Sequence, residues 1–276
     1  MTVAVILFLF GLIIGSFLNV CIVRLPREES IVRPASRCPR CGAAIAWYDN
    51  IPVLSFLLLR GKCRRCGQPI SWRYPAVELL NGLLYLWTFA ELGLTGEALL
   101  VMLLCSSFLV ITFIDLDHLI IPDVITLPGI AVGLALAPFF MAPLDVPLPF
   151  HLGRVLPLSG QYPVALANSV IGLLFGGGPL FLIGWVWEKL RKVEAMGGGD
   201  VKLMAMVGAF IGWKGALLTI FLGAFSGAVV GVALIALKKH ESDKVIPFGP
   251  YLVMGALTSL FYGPALIGWY FGLLTP

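Results

Sequence analysis

Long apolar runs separated by short polar breaks dominate the chain. Runs approaching the ~20 mostly apolar residues needed to cross a bilayer lie near 3–23, 77–93, 97–114, 124–141, 164–187, 201–213, 215–237 and 247–272. Together they predict an all-α polytopic membrane protein of about eight transmembrane helices. The shortness of 201–213 leaves seven as the alternative count. Trp213-Lys214-Gly215 predicts a tight turn between the sixth and seventh runs. The first run, Val3 to Val23, has no basic leader and no convincing cleavage site, so it predicts a retained helix rather than a signal peptide. Gly176-Gly177-Gly178, inside a run, predicts close helix packing. Two polar stretches stand out: an insert over 24–76, rich in Arg, Pro and Cys, and a Pro-rich, weakly charged loop over 142–163. The expected organisation is a first helix at 1–23, a soluble insert at 24–76 and a transmembrane core at 77–276.

Composition agrees with a lipid environment. Only 12% of the 276 residues are charged and 59% are hydrophobic, against about 25% charged in soluble domains. Charge distribution then sets orientation. The segment 24–73 holds ten of the nineteen basic residues, and Lys189, Arg191, Lys192, Lys202, Lys238, Lys239 and Lys244 hold seven more. If eight spans alternate, these seventeen share one side, with Arg154 and Lys214 opposite. The basic side is expected to be cytoplasmic, with both termini outside.

The insert carries two pairs, Cys38-x2-Cys41 and Cys63-x2-Cys66, with 21 residues between them. Each pair can present two thiolates from one turn, and two facing turns make a tetrahedral four-sulfur site for structural zinc. Gly42 and Gly67 follow the second cysteine of each pair and suit a tight turn, and the neighbouring arginines would offset thiolate charge. Disulfides suit a reducing compartment poorly, and no βαβ pattern marks a redox site. An insert this small has little core of its own, which gives a metal a folding role. Cys21 and Cys105 stand alone in apolar runs and predict buried small residues.

Ionisable residues at membrane depth are costly and point to function. One cluster runs from Asp115 through Asp117 to Asp123. The other is Gly197-Gly198-Gly199-Asp200-Val201-Lys202. Topology puts both at the same cytoplasmic boundary, where they can meet. Two carboxyl groups about 3 Å apart share a proton. Such a pair can activate water and protonate a leaving amine, which is peptide hydrolysis without a metal. The glycines before Asp200 would let a substrate strand approach. More ordinary roles stay open: Asp123 as a helix-start acid, Asp117 and His118 as a solvated face, Asp200 as a cap. No P-loop, GxSxG or HExxH is present, and His118, His151 and His240 are scattered. The competing functional classes are a transporter with intramembrane acidic ion sites and a redox protein using the CxxC pairs.

Several segments, in order, resemble the bacterial type IV prepilin leader peptidases, GxGD-type intramembrane aspartyl proteases. They are Gly15-Ser16-Phe17-Leu18-Asn19, the CxxC pairs flanking Trp47 to Ser55, Arg73 to Glu78, Asp115 to Asp123, Gly197 to Lys202, and Ile246-Pro247-Phe248-Gly249-Pro250. The resemblance implies cleavage of the leader from prepilins and type II secretion pseudopilins at the inner membrane, facing the cytoplasm. It maps the catalytic pair to Asp115 and Asp200. It also implies methylation of the new N-terminal amine by S-adenosylmethionine, because all four cysteines are kept. Glu78 and Glu194, acids near the membrane, are the candidates for binding that donor. The expected partners are pilin-type proteins and lipid, with no nucleic acid.

Overall fold

The computed structural model describes residues 2–140, 161–192, 197–237 and 246–274. Eight helices organise these residues: α1 (Thr2–Arg24), α2 (Leu54–Leu58), α3 (Arg73–Leu92), α4 (Gly96–His118), α5 (Asp123–Phe140), α6 (Gln161–Arg191), α7 (Gly198–Ala236) and α8 (Gly249–Leu274). Among the described residues there is no β-structure beyond two isolated bridges in the Cys-rich insert. The expected all-helical architecture is therefore borne out.

Each of the eight apolar runs is helical over most of its described residues, and five helices (α1, α4, α6, α7 and α8) are long and apolar enough to cross a membrane. Helix α5 is shorter, and α3 carries Arg73, Glu78 and Glu91 along its 20 residues. Helix α7 takes up two of the expected runs across a break at Gly212 (φ 72°, ψ 178°). The break lies one residue before the turn expected at Trp213-Lys214-Gly215, and those three residues are helical. The left-handed φ explains the difference, since glycine alone adopts it without a Cβ penalty. Of the expected loop at 142–163, residues 161–163 already belong to α6. The rest lies outside the described residues, as do Glu194, Arg154, Lys238, Lys239, Lys244, His151 and His240.

The chain divides into two compact units, Met1–Ile114 and Asp115–Pro276. In the first, α1 lies along α3. Glycines allow this approach: a Cβ on Gly15 would stand 2.6 Å from the Glu78 Cα, and one on Gly11 2.8 Å from the Gly82 Cα. Polar side chains fasten the apolar surfaces where water cannot compete. Asn81 Nδ2 donates to the Gly11 carbonyl at 2.7 Å, and the Ser106 hydroxyl of α4 donates to Asn81 Oδ1 at 2.9 Å. Arg73 donates to the Phe113 carbonyl at 2.8 Å, with its guanidinium 4.9 Å from the Phe113 ring centre. Cys21 and Cys105 are buried and unpaired, as expected.

In the second unit α7 is the hub, packed against α5, α6 and α8. Gly172 of α6 rests on the α7 backbone at Gly208 and Gly212, and Gly176 on the Met204 carbonyl. Gly177 reaches Val201 and Ala205, whereas Gly178 has open space. Two members of the glycine cluster therefore serve helix packing.

Candidate functional site

Asp115 and Asp200 come together within the second unit. Asp115 lies in the last turn of α4 and is only 5% exposed. Asp200 lies in the first turn of α7, half-buried, and close enough to Asp115 to feel its charge. After Gly197, in extended backbone (φ −64°, ψ 133°), Gly198 starts the helix. Gly199 touches the loop that follows α4: a Cβ there would stand 2.8 Å from the Ile121 Cβ. A bulkier residue would move Asp200 away from the chain that carries Asp115.

A third segment completes the site. The backbone N–H of Gly249, first residue of α8, donates to Asp115 Oδ2 at 2.9 Å. The helix N-terminus offers unpaired donors there. This contact bridges 134 positions of chain, and only the Phe248-Gly249-Pro250 motif hinted at it.

The neighbouring acids are placed differently. Asp123 starts α5 and pairs with Lys202 Nζ, two residues beyond Asp200, at 2.7 and 2.8 Å. It is thus both a helix-start acid and a tie between α5 and α7. Asp117 is exposed. Asp200 is close enough to Asp115 to feel its charge, and Asp115 accepts from a backbone donor at the start of α8.

The first unit holds the cysteine module. Its two hairpins repeat one hydrogen-bond plan. Cys38 N–H donates to Ala43 O and Gly42 N–H to Cys38 O; Cys63 N–H donates to Gln68 O and Gly67 N–H to Cys63 O, all at 2.9 Å. Gly42 and Gly67 have φ of 69° and 68°, which is why glycine stands at both. The four Sγ atoms lie within 4.8 Å of one another, with Cys38 and Cys66 3.9 Å apart. Tetrahedral coordination at about 2.3 Å per Zn–S bond spaces sulfurs by about 3.8 Å, so the donor set fits a metal ion. N–H groups of Cys41 and Arg40 pull the Cys38 thiol down to about 6. Against the pull of the Gln68 N–H, burial and the three other thiols push Cys66 up to about 11. Without a cation the four cannot all ionise together. The sequence assigned the nearby arginines to thiolate neutralisation, but Arg64 instead grips the Asp49 carboxylate through Nε at 2.8 Å and Nη2 at 2.7 Å.

Glu78 belongs to this unit and to a different environment from the two aspartates. It is buried on α3, where Oε2 accepts the Val53 N–H at 2.7 Å and the carboxyl also accepts from the Ser16 hydroxyl. Val53 centres a tight turn from Pro52 to Leu54 at φ 60°, ψ −49°, a strained conformation for a β-branched residue. The sequence pointed to Glu78 but gave no sign of Val53, whose strain depends on an acid 25 residues away.

Comparison with known proteins gives two matched segments. Residues 9–92 match the model of the bacterial peptidase A24 N-terminal domain, and residues 102–232 that of the type IV leader peptidase family. A prepilin leader peptidase/N-methyltransferase of Myxococcus xanthus is 42% identical over 280 residues, covering 99% of this chain and 76% of the relative. Proteins of the same name are 36% identical in Aeromonas salmonicida and 35% in Pseudomonas aeruginosa, each over 95% of this chain and over nine-tenths of the relative. No solved structure matches. Nothing in the site or these likenesses supports a transporter. On the matched domains and the extent of identity, the chain belongs to the bacterial type IV leader peptidase family.

Proposed function

We propose that this chain removes the basic leader from prepilins and type II secretion pseudopilins by an aspartyl mechanism, and then methylates the new N-terminal amine. The observation that carries the proposal is the convergence of Asp115 and Asp200 within the second unit. Family membership and the relatives' names support both the substrate class and the second activity. One carboxyl, ionised, takes a proton from water as its oxygen attacks the scissile carbonyl. The other, protonated, gives its proton to the departing amine as the C–N bond breaks. The Gly249 N–H keeps Asp115 oriented, and the glycines before Asp200 leave backbone room for an extended substrate. The concentration of arginine and lysine at 24–73 supports a cytoplasmic face on the inner membrane.

Four sulfur donors within 4.8 Å of one another support zinc as the metal of Cys38, Cys41, Cys63 and Cys66. A closed four-sulfur set leaves no open position, so the role assigned to it is to hold the two hairpins together. When bound, S-adenosylmethionine would supply the methyl group for the new amine, leaving as S-adenosylhomocysteine while the amine loses a proton.

The test is cleavage of a purified prepilin in detergent by the wild-type chain and by Asp115→Asn, Asp200→Asn and Asp117→Asn. Loss of at least about a hundredfold is expected for the first two, the scale of acid–base contributions, with little change for the third. Retention of cleavage in Asp115→Asn or Asp200→Asn would remove the dyad from the mechanism.

A further inference from the structure

Helix α1 sets a depth scale for the first unit. Its 23 residues, Thr2–Arg24, rise about 34 Å against a hydrocarbon layer of about 30 Å. A helix that only just spans the layer leaves Arg24 at one surface. Ser16 precedes Arg24 by two turns of helix, about 12 Å back along the axis. It therefore stands inside the layer, and so does the chain that is tied to it.

Part of the Cys-rich insert is tied to it. Glu78 accepts from the Ser16 hydroxyl and, at 2.7 Å, from the Val53 N–H. Val53 immediately precedes α2, so α2 begins near the depth of Ser16. The backbone ahead of it is satisfied from within. Ser55 Oγ accepts the Ile51 N–H at 3.1 Å and donates to the Tyr48 carbonyl at 2.8 Å. The Asp49 N–H donates to the Ala46 carbonyl at 2.9 Å. Backbone groups away from water need such internal partners.

The face that α2 turns outward is apolar. Ser55 and Phe56 are buried, with the Phe56 ring 4.6 Å from that of Trp72, just ahead of α3. Leu54, Leu57 and Leu58, at helical spacings of three and four, share the other side. They are 49%, 58% and 74% exposed. Trp72 is itself exposed, and tryptophan favours the membrane–water boundary. The chain leaves α2 through Arg60 (φ 51°), and Arg60 and Lys62 are exposed. Between positions 24 and 73 there are ten basic residues against three acidic ones. A basic rim around an apolar tip complements anionic headgroups lying over hydrocarbon.

We propose that α2 is a membrane anchor for the insert: Leu54, Leu57 and Leu58 enter the acyl layer beneath the Arg24 surface, and Arg60 and Lys62 reach its anionic headgroups. Long basic side chains can extend to the headgroups from a backbone that lies lower. The insert expected to be soluble then has one short segment in lipid. Lys62 adjoins Cys63, so the anchor passes directly into the metal module and holds it at the surface.

The experiment maps lipid contacts on the metal-loaded full chain, reconstituted in vesicles of equal parts phosphatidylcholine and phosphatidylglycerol. One probe is a phospholipid with a photoactivated diazirine in its acyl chain, and mass spectrometry locates the labelled residues. Leu54, Leu57 and Leu58 should be labelled as strongly as Leu9 and Ile13, which are exposed on α1. A second probe carries the diazirine on the phosphatidylglycerol headgroup. It should mark the stretch from Leu59 to Cys63. Arg60→Gln combined with Lys62→Gln should lower that yield by about fivefold or more, the scale of one basic side chain at an anionic surface. Acyl labels on α1 with none on α2 overturn the proposal, as do cross-links that seat α2 on a second copy of the chain. A headgroup yield unchanged in the double variant overturns the part assigned to Arg60 and Lys62.

Discussion

The Gly249 N–H and the Asp115 carboxylate are joined at 2.9 Å across 134 positions of chain. A Cβ on Gly249 would stand 2.7 Å from Asp115 Oδ2, so Gly249→Ala should displace the carboxylate. Displacing a reacting group by about 1 Å can cost on the order of a hundredfold. Gly268, with open space where its Cβ would point, provides the control. Single-turnover cleavage should fall steeply for Gly249→Ala and stay level for Gly268→Ala. Equal rates would show that the contact does not position Asp115.

The Lys202–Asp123 pair should matter little for stability. Its side chains are 40% and 52% exposed, and exposed pairs contribute about 0.2–1 kcal/mol. Asp123→Asn and Lys202→Met should therefore each lower stability by no more than about 1 kcal/mol. A double-mutant cycle on unfolding in detergent checks this. Coupling well above that range would mean that the pair ties α5 to α7 more strongly than its exposure implies.

Metal retention should depend on pH in a definite direction. Cys38 is held at about 6, below its ordinary 9.0, so the folded insert favours its thiolate. That contribution is complete above the ordinary value and is lost as pH falls through about 6. Protons and metal compete for the same sulfurs. Metal-to-protein ratios after dialysis at stepped pH should hold near neutrality and drop in mild acid, and four thiols should then titrate. A ratio that falls as pH rises would contradict the assignment.

Gly212→Ala should destabilise the second unit. It places a Cβ at φ 72°, ψ 178° and 2.7 Å from the Asn168 amide nitrogen, a backbone region that is essentially glycine's alone and costs other residues about 1–3 kcal/mol. A lower midpoint of thermal unfolding in detergent is the expected result. An unchanged midpoint would mean that α7 can straighten at this position.

Helices in this chain were legible because lipid imposes one demand, that every backbone group be satisfied within its segment. Apolar runs therefore read directly as helices, including the pair that meets at Gly212. The cysteine spacing was equally readable, since two thiolates per turn followed by glycine has few other uses. What escaped was long-range. Nothing in Phe248-Gly249-Pro250 says that its amide will find Asp115. Nothing near Val53 announces a strained turn held by Glu78. The role of Arg64 was misjudged for a related reason: its neighbours in sequence are cysteines, while Asp49 lies 15 residues earlier. Short-range chemistry is written in the spacing, but partners chosen by the tertiary fold are not.

The break at Gly212 divides α7 into two unequal helical stretches. From Gly198 to Ile211 helix α7 has 14 residues, a rise of about 21 Å. The hydrocarbon layer is about 30 Å thick. This half-helix is shorter than the layer by roughly a third. With the break at the far boundary, Asp200 would stand below the near surface, where water would arrive through a recess in the protein. An extended leader would have to bend down into that recess to be cut, whereas the apolar helix behind it can remain in lipid. Cleavage at the edge of a hydrophobic helix, as the proposed function requires, would then follow from the length of one of the chain's own helices.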